Sequence, residues 1–357
     1  MEKYYDVLVI GSGPAGAAAA KALDGSELSV ALIERKKLPR YKMCSGILFP
    51  STRAFVDEHF GLMPEKILCE PGLIKGNRVF LNNETPVMDT SFSLFDEGRG
   101  LPEEGFNVWR SDFDLWLAKE SDATLIDDCR FTGFIEKSGQ YEVFVEKSGE
   151  RSIIRAGYII GADGTISQVR RSAFPDFDKD VKLFPNYEEI YEGDIDLEPG
   201  WLYLFLDRSL SGYFATLFHK DDKLAVVTGV HQGESVKEYF NRFREHLGKN
   251  HGLRIKNKVE SHGIQLTDMS ATKNYCLGRE NILLAGEAGG FLRGVEGITS
   301  ALVSGYAAGQ AVLESHRTKV PAINYFKKFA AKELATCEKA HENLTAIIGY
   351  NVFIRSK

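Results

Sequence analysis

Residues 5–34 read YDVLVIGSGPAGAAAAKALDGSELSVALIE, and this stretch decides the fold. Tyr5 to Ile10 is an apolar, β-rich run. Gly11, Gly13 and Gly16 follow in the spacing G-x-G-x-x-G, Pro14 to Leu23 reads as a helix, and Leu28 to Ile33 reads as a second strand ending in Glu34. Strand, glycines, helix, strand and terminal acid in that order make one βαβ unit for a dinucleotide. Gly11 allows the tight turn, Gly13 lets the backbone approach a diphosphate, and Gly16 lets helix and strand pack closely. Pro14 and Ala15 open the helix, whose unpaired N–H groups and partial positive charge suit phosphates. An acid at the end of the second strand suits an adenosine ribose without a 2′-phosphate, which fits NAD and FAD and disfavours NADP.

The remainder of the chain bounds the answer. At 357 residues it exceeds what one hydrophobic core usually spans, so two lobes are expected. Net charge is −6, with no basic stripe, which argues against nucleic acid. No leader-like segment precedes the first strand and no apolar run nears the length of a membrane span, so a cytoplasmic protein is expected. The five cysteines (Cys44, Cys69, Cys129, Cys276, Cys337) are widely spaced without C-x-x-C, and the histidines show no H-E-x-x-H, so neither a disulfide framework nor a metal site is expected.

Further along, Lys36 to Gly46 is a basic, turn-rich loop, and Ser111-Asp112 can cap a helix to about Lys119. Phe131–Glu136, Tyr141–Lys147 and Ser152–Ile160 are strand-like and separated by Ser-Gly pairs at 138–139 and 148–149, an antiparallel meander. Trp201, Tyr203 and Phe205 alternate with Leu202, Leu204 and Leu206, so both faces of that strand are apolar and it is expected to be buried on both sides. Residues 281–315 read NILLAGEAGGFLRGVEGITSALVSGYAAGQAVLES: a strand, a glycine-rich loop and a long helix from about Gly297. No second G-x-G-x-x-G unit for a nicotinamide cofactor is visible.

GSGPAG, RSDFDLWL at 110–117, GADG at 161–164 and GEAGG…EGITSA at 286–301 occur in the order of the p-hydroxybenzoate hydroxylase fold, and PRYKMCSG at 39–46 further resembles the geranylgeranyl reductase branch of that flavoprotein superfamily. The resemblance implies an α/β chain (α+β overall): a Rossmann-like FAD-binding lobe with βαβ units and an antiparallel meander, a mixed β-sheet substrate lobe, and C-terminal helices. The boundaries expected are 1–70, 105–175 and 265–318 for the FAD lobe, 71–104 and 176–264 for the substrate lobe, and 319–357 for a helical end. It implies that FAD is held by Gly11, Gly13, Pro14, Ala15, Gly16, Glu34, Arg35, Cys44, Ser45, Gly46, Arg110, Asp163, Gly164, Glu287, Gly297 and Ile298. The helix N-terminus at Gly297 and Ile298 then faces the pyrimidine side of the ring, where it stabilises the charge that reduction brings.

The implied activity is FAD-dependent reduction of C=C bonds in a hydrophobic small molecule, isoprenoid or otherwise unsaturated. Electrons would come from an external donor, NAD(P)H or a small redox protein. The rivals are a monooxygenase on an aromatic or polyketide-like substrate, and a flavin protein that only relays electrons or binds a hydrophobic ligand. The chain departs from the family where Glu287 replaces the usual aspartate. The loop Phe291–Val295 also lacks the usual proline. The strand Phe214–His219 keeps only the terminal aromatic of a Y-x-W-x-F-P pattern.

Several side chains carry two readings. Arg40 and Lys42 would favour a thiolate at Cys44, and the resemblance puts this cysteine near the reactive face as a proton donor; the alternative is an inert buried thiol. Glu296 is a proton carrier or only a complement to the helix dipole. Arg293 contacts the flavin or an anionic substrate, or is a solvated loop residue. Trp201, Tyr203, Phe205, Tyr213, Phe214 and Phe218 wall a substrate pocket or pack a core, and His219 is an acid–base group or structural. The apolar end, Ile347 to Ile354, packs on the chain, on a subunit or on a membrane surface.

Overall fold

The four-residue core of the first strand, Val7–Ile10, is buried on both faces, and the computed structural model places a layer against each. It describes residues 3–81, 86–92, 100–212, 214–267, 269–294 and 296–348. Two compact units emerge: Met1–Arg40 with Ser111–Val181 and Thr267–Leu344, and Tyr41–Arg110 with Lys182–Leu266.

In the first unit, Lys3–Ile10 lies between Val30–Ile33 and Glu150–Gly161, and Thr124–Ile126 and Ile282–Leu284 extend the sheet outward, all in parallel. Val7 and Val9 join one apolar cluster with Ala15, Ala19 and Ala308; Leu8 and Ile10 join another with Val143, Ile159 and Val169. A doubly covered parallel sheet explains why this strand reads as a continuous apolar run rather than an alternating one. The meander forms as read. Gln140–Lys147 pairs antiparallel with both Cys129–Lys137 and Glu150–Gly161. Ser138 and Gly139, and Ser148 and Gly149, all take positive φ, the geometry of a tight primed turn.

The first helix, Pro14–Lys21, packs on the long helix Gly297–Thr318 at backbone contact. A Cβ on Gly305 would lie 2.0 Å from the Ala15 carbonyl oxygen, and one on Gly309 would lie 2.5 Å from that of Ala19. The terminal helix Ala322–Ile348 adds Ala322, Phe326 and Ala330 to the same core.

The second unit is built on a seven-stranded sheet containing, side by side, Arg254–Thr267, Leu183–Asp194, Lys223–Gly229, Phe214–Lys220 and Trp201–Phe205. The helix Val236–His251 covers one face. It is capped by the Ser235 side chain, which accepts from the Glu238 N–H, and it ends on left-handed Gly252. The opposite face carries Met43, Ile47, Ile190, Leu202, Phe218 and Val227. Residues 41–70, expected with the first unit, therefore group with the second. Ile47–Leu48 and Leu68–Ile74 both pair with Gly105–Val108, and Met43 and Ile47 pack on the large sheet. The terminal helix, expected as a separate segment, belongs to the first unit's core. No described helix is long and apolar enough to cross a membrane.

Candidate active site

The glycine turn of the first unit is set by close backbone packing. Gly11 has φ +103°, and a Cβ there would lie 2.5 Å from the Ala162 carbonyl oxygen; one on Gly16 would lie 1.8 Å from that of Gly11. Gly13 differs: the nearest atom to its Cβ position is Arg40 Nη2 at 3.6 Å, so the space beside it is open except for a guanidinium. Glu34, buried at the end of the second strand, accepts from the Ser12 N–H (3.3 Å), the Ser12 hydroxyl (3.1 Å) and the Lys36 N–H (3.0 Å). Arg40 Nε pairs with it at 3.0 Å, while Arg40 Nη1 reaches Asp114 at 3.1 Å. One cation thus serves two buried acids beside the helix N-terminus, where anions are favoured.

Opposite the turn, Asp163 accepts from the Ser167 hydroxyl and from the Gln168 and Val169 N–H groups, capping the short helix Gln168–Ala173. Thr165 donates to Glu287 Oε2 at 2.9 Å, and Glu287 Oε1 is buried with no hydrogen-bond partner. Arg170, 1% exposed, bonds the carbonyl oxygens of Thr165 (2.8 Å) and Ala288 (2.9 Å) and pairs with Asp178. It fixes both loops that flank Glu287. An orphaned buried carboxylate oxygen is costly in a finished structure and fits a ligand hydroxyl as its missing donor. The cramped Gly11–Gly16 turn, open Gly13 and half-satisfied Glu287 together suit a dinucleotide with a polyol linker.

In the second unit, Cys44 is the one half-buried thiol among five free cysteines, the other four being buried. Its Sγ accepts from the Gly46 N–H at 3.5 Å. Gly46 has φ +64°, and a Cβ on it would collide with the Val108 carbonyl oxygen at 2.1 Å and lie 2.9 Å from Lys220 Nζ. Lys220 is 2% exposed and donates to the Val108 carbonyl (2.5 Å), Asn107 Oδ1 (3.0 Å) and Cys69 Sγ (3.8 Å). Burial pulls the Lys220 ammonium below its ordinary range. Burial likewise pushes the Cys69 thiol up to about 11 despite Lys220. On the same sheet face Glu188 is 1% exposed and accepts a short hydrogen bond from the Tyr41 hydroxyl. Burial raises the Glu188 carboxyl to about 7, against the pull of Tyr41, His262 and Lys220.

A family model described as an FAD binding domain matches residues 4–187, just over half of the chain. The chain belongs to that family. FAD is the cofactor of this flavoprotein, and its fold is that of the p-hydroxybenzoate hydroxylase superfamily. Protein CbrA of Escherichia coli (strain K12) is 26% identical to it over 317 residues, 85% of this chain and 82% of CbrA. A geranylgeranyl bacteriochlorophyll reductase-like protein from Thermoplasma acidophilum superposes with a TM-score of 0.79 at 18% identity, covering 99% of this chain and 89% of that one. The p-nitrophenol 4-monooxygenase of Pseudomonas putida DLL-E4 gives 0.74 at 13%, covering 97% and 89%. At these identities the solved structures establish the fold, and the family is that of FAD-dependent oxidoreductases and monooxygenases.

The structure gathers Gly11, Gly13, Pro14, Ala15, Gly16 and Glu34 at one turn; Asp163 and Gly164 follow the strand Glu150–Gly161, and Glu287 lies on a separate loop that Thr165 reaches by a hydrogen bond. Arg35 is exposed, whereas Arg110 is buried. Gly297 and Ile298 begin the long helix, and Glu296 precedes it, accepting from the Thr299 hydroxyl at 3.3 Å. Arg293 is neither solvated nor free: it forms a two-pronged pair with Glu333 of the terminal helix, itself 3% exposed. Tyr203 and Phe205 pack with Phe243 and Leu247 under the covering helix, and Trp201 joins that cluster, so these three take the core reading. Phe218 and Phe214 belong to the other face, with Met43. His219 alternates with Phe218 and is turned away from that face, and its Nδ1 is buried without a partner. Tyr213, Val295 and the segment 349–357 lie outside the described residues. Sequence reasoning missed Asp114, Thr165, Arg170, Tyr41, Glu188 and Lys220, and it read Arg40 as a neighbour of Cys44 where the structure pairs it with Glu34 and Asp114. For Asp114 and Lys220 the signal was present as a charge at an apolar helix or strand position.

Proposed function

We propose that this flavoprotein is a reductase that saturates a C=C bond of a hydrophobic small molecule, taking electrons from an external donor, NAD(P)H or a small redox protein. When bound, FAD supplies the hydride. Glu34 and Glu287 are assigned to its ribose and polyol hydroxyls, and Arg40 to its diphosphate. Cys44 is assigned the role of the acid that protonates the second carbon. The observation that carries the reading is the Cys44–Gly46 turn: the one half-buried thiol of the chain, folded tightly over a buried lysine. Lys220 Nζ lies 2.9 Å from the place a Cβ on Gly46 would take, so the turn that carries Cys44 closes directly over that buried side chain. The apolar sheet face with Met43 and Phe218 is the assigned wall for the substrate. The likeness in fold to a reductase-like protein supports the reading, and the likeness to a monooxygenase defines its rival.

The test is anaerobic. The purified protein is reduced, mixed with unsaturated lipids, quinones or polyketides, and flavin reoxidation is followed. Substrate-dependent reoxidation without oxygen is the expected outcome. Reoxidation only in oxygen, with a hydroxylated product, would overturn it. A Cys44→Ala variant with unchanged turnover would remove Cys44 from the chemistry.

A further inference from the structure

We propose that Lys220 is the positioning residue that holds the Cys44 thiol in place; this rests on the reductase reading above, in which Cys44 is the acid. A chain of three hydrogen bonds joins the two side chains. Lys220 Nζ donates to the Val108 carbonyl oxygen at 2.5 Å, the Val108 N–H donates to the Gly46 carbonyl oxygen at 3.0 Å, and the Gly46 N–H donates to Cys44 Sγ at 3.5 Å. Gly46 stands in the middle, tied to the strand through its C=O and to the thiol through its N–H. Its φ is +64°, and the Val108 carbonyl oxygen lies 2.1 Å from where its Cβ would be, so the turn is pressed against the atom that Lys220 holds.

Lys220 is an unusual buried lysine. It is 2% exposed, and among the described residues it forms no ion pair. Its ammonium has three N–H groups and meets three neutral acceptors: the Val108 carbonyl, Asn107 Oδ1 at 3.0 Å and Cys69 Sγ at 3.8 Å. The Trp109 ring centroid lies 4.9 Å from Nζ and gives the charge an aromatic face. Asn107 is itself aimed, since its amide nitrogen donates to the His219 carbonyl oxygen at 3.0 Å and so leaves Oδ1 for the ammonium. Burying a cation without a carboxylate is expensive, and an apolar side chain of similar length would avoid that cost. What the lysine adds is a donor to Val108, the residue whose N–H holds Gly46.

With this clasp closed, the thiol is held against the Gly46 N–H and presents its proton in one direction. With Lys220 replaced by an apolar residue, the Val108 oxygen loses its donor and the Gly46 turn loses its support. A misplacement of about 1 Å at a reacting group is enough to slow a reaction by about a hundred-fold. Lys220 is enclosed beneath the turn, so its loss falls on kcat and not on KM.

The experiment follows alkylation by iodoacetamide, residue by residue by mass, in the FAD-loaded wild type, Lys220→Met and Cys69→Ala. Cys44 is half-buried and the other four thiols are buried, so local and global opening are read separately. The expected result in Lys220→Met is that Cys44 labels about ten-fold faster, the weight of one lost hydrogen bond, while the buried thiols stay unlabelled and FAD stays bound. Cys69→Ala keeps the Val108 bond and labels Cys44 at the wild-type rate. In substrate-dependent reoxidation, kcat of Lys220→Met falls by about ten-fold or more with KM unchanged. A wild-type Cys44 rate in Lys220→Met overturns the clasp and leaves the reductase standing. Labelling of all the cysteines together, or an equal rise in Cys69→Ala, also overturns it, because either reports general loosening. Faster Cys44 labelling with no acceptor that reoxidises the flavin supports the clasp and sinks the reductase. If Lys220→Met does not accumulate, Asn107→Ala, which removes the acceptor beside Val108, decides by the same measurement: a smaller rise at Cys44 supports the clasp, and an unchanged rate overturns it.

Discussion

The guanidinium of Arg40 lies 3.1 Å from the carboxylate of Asp114, a side chain with no solvent exposure at all. The same guanidinium holds Glu34. Arg40→Ala removes the cation that these two buried acids share, and we expect apoprotein stability to fall by about 3 kcal/mol. The double variant Arg40→Met with Asp114→Leu replaces the ion pair by packing and should recover much of that loss. It should not recover FAD binding, which we expect to weaken about ten-fold or more in both proteins, the weight of one charge-assisted bond. Chemical denaturation and FAD titration separate the effects; equal recovery of both would mean that Arg40 is structural only.

The three glycines of the turn are unequal. Gly16→Ala places a methyl 1.8 Å from a backbone oxygen that cannot move without lifting the helix, so this variant should lose stability by several kcal/mol or fail to accumulate. Gly13→Ala meets nothing closer than an arginine tip at 3.6 Å. Its apoprotein should melt within a few degrees of wild type while FAD affinity drops, because the methyl occupies the side from which a diphosphate approaches. Thermal melts of both apoproteins, followed by FAD titration of Gly13→Ala, check this. A Gly13→Ala protein that binds FAD normally would move the diphosphate elsewhere.

Glu287 is half satisfied: Thr165 serves one oxygen and nothing serves the other. Truncation to Ala removes an unsatisfied buried atom, so the apoprotein should be unchanged or slightly more stable. FAD affinity should fall about ten-fold, and Thr165→Val should produce a smaller loss in the same direction because it frees Glu287 without removing it. The reverse pattern, lost stability with intact affinity, would make Glu287 a framework residue.

Legibility in the sequence follows the range of the interaction. The glycine turn and the Ser-Gly hairpins were readable because each is settled within a few residues by backbone geometry. The alternation from Trp201 to Leu206 told correctly that both strand faces are buried. It gave no means of knowing which face meets a helix, so it could not separate Trp201, Tyr203 and Phe205, under the helix, from Phe218 on the other face. Arg40 with Asp114, Tyr41 with Glu188 and Lys220 with Asn107 join segments far apart in the chain, and a lone charge in a strand reads as a solvated one until its partner is placed. Arg293 shows the converse: its loop suggested the flavin, and its carboxylate partner lies in a helix that the motif does not include.

Glu188 makes a further prediction, on stability, that needs no substrate. Its ordinary value is 4.5 and the fold raises it to about 7 through burial. Between those values the folded protein keeps a proton that the unfolded chain has released. By linkage the folded state is then favoured at the acidic end, loses that advantage as pH rises through the window, and shows no further change from this group above it. The full span corresponds to about 3 kcal/mol, since each pH unit between the two values is worth about 1.4 kcal/mol. Glu188→Gln, neutral at every pH, should flatten this part of the curve and be more stable than wild type near pH 8, where the wild type buries a charge. Tyr41→Phe removes the donor that favours the carboxylate and should move the transition to higher pH. Denaturation curves for the three proteins between about pH 5 and 8 decide the matter. A wild-type slope that survives in Glu188→Gln would assign it to another group and withdraw the neutral acid at this position.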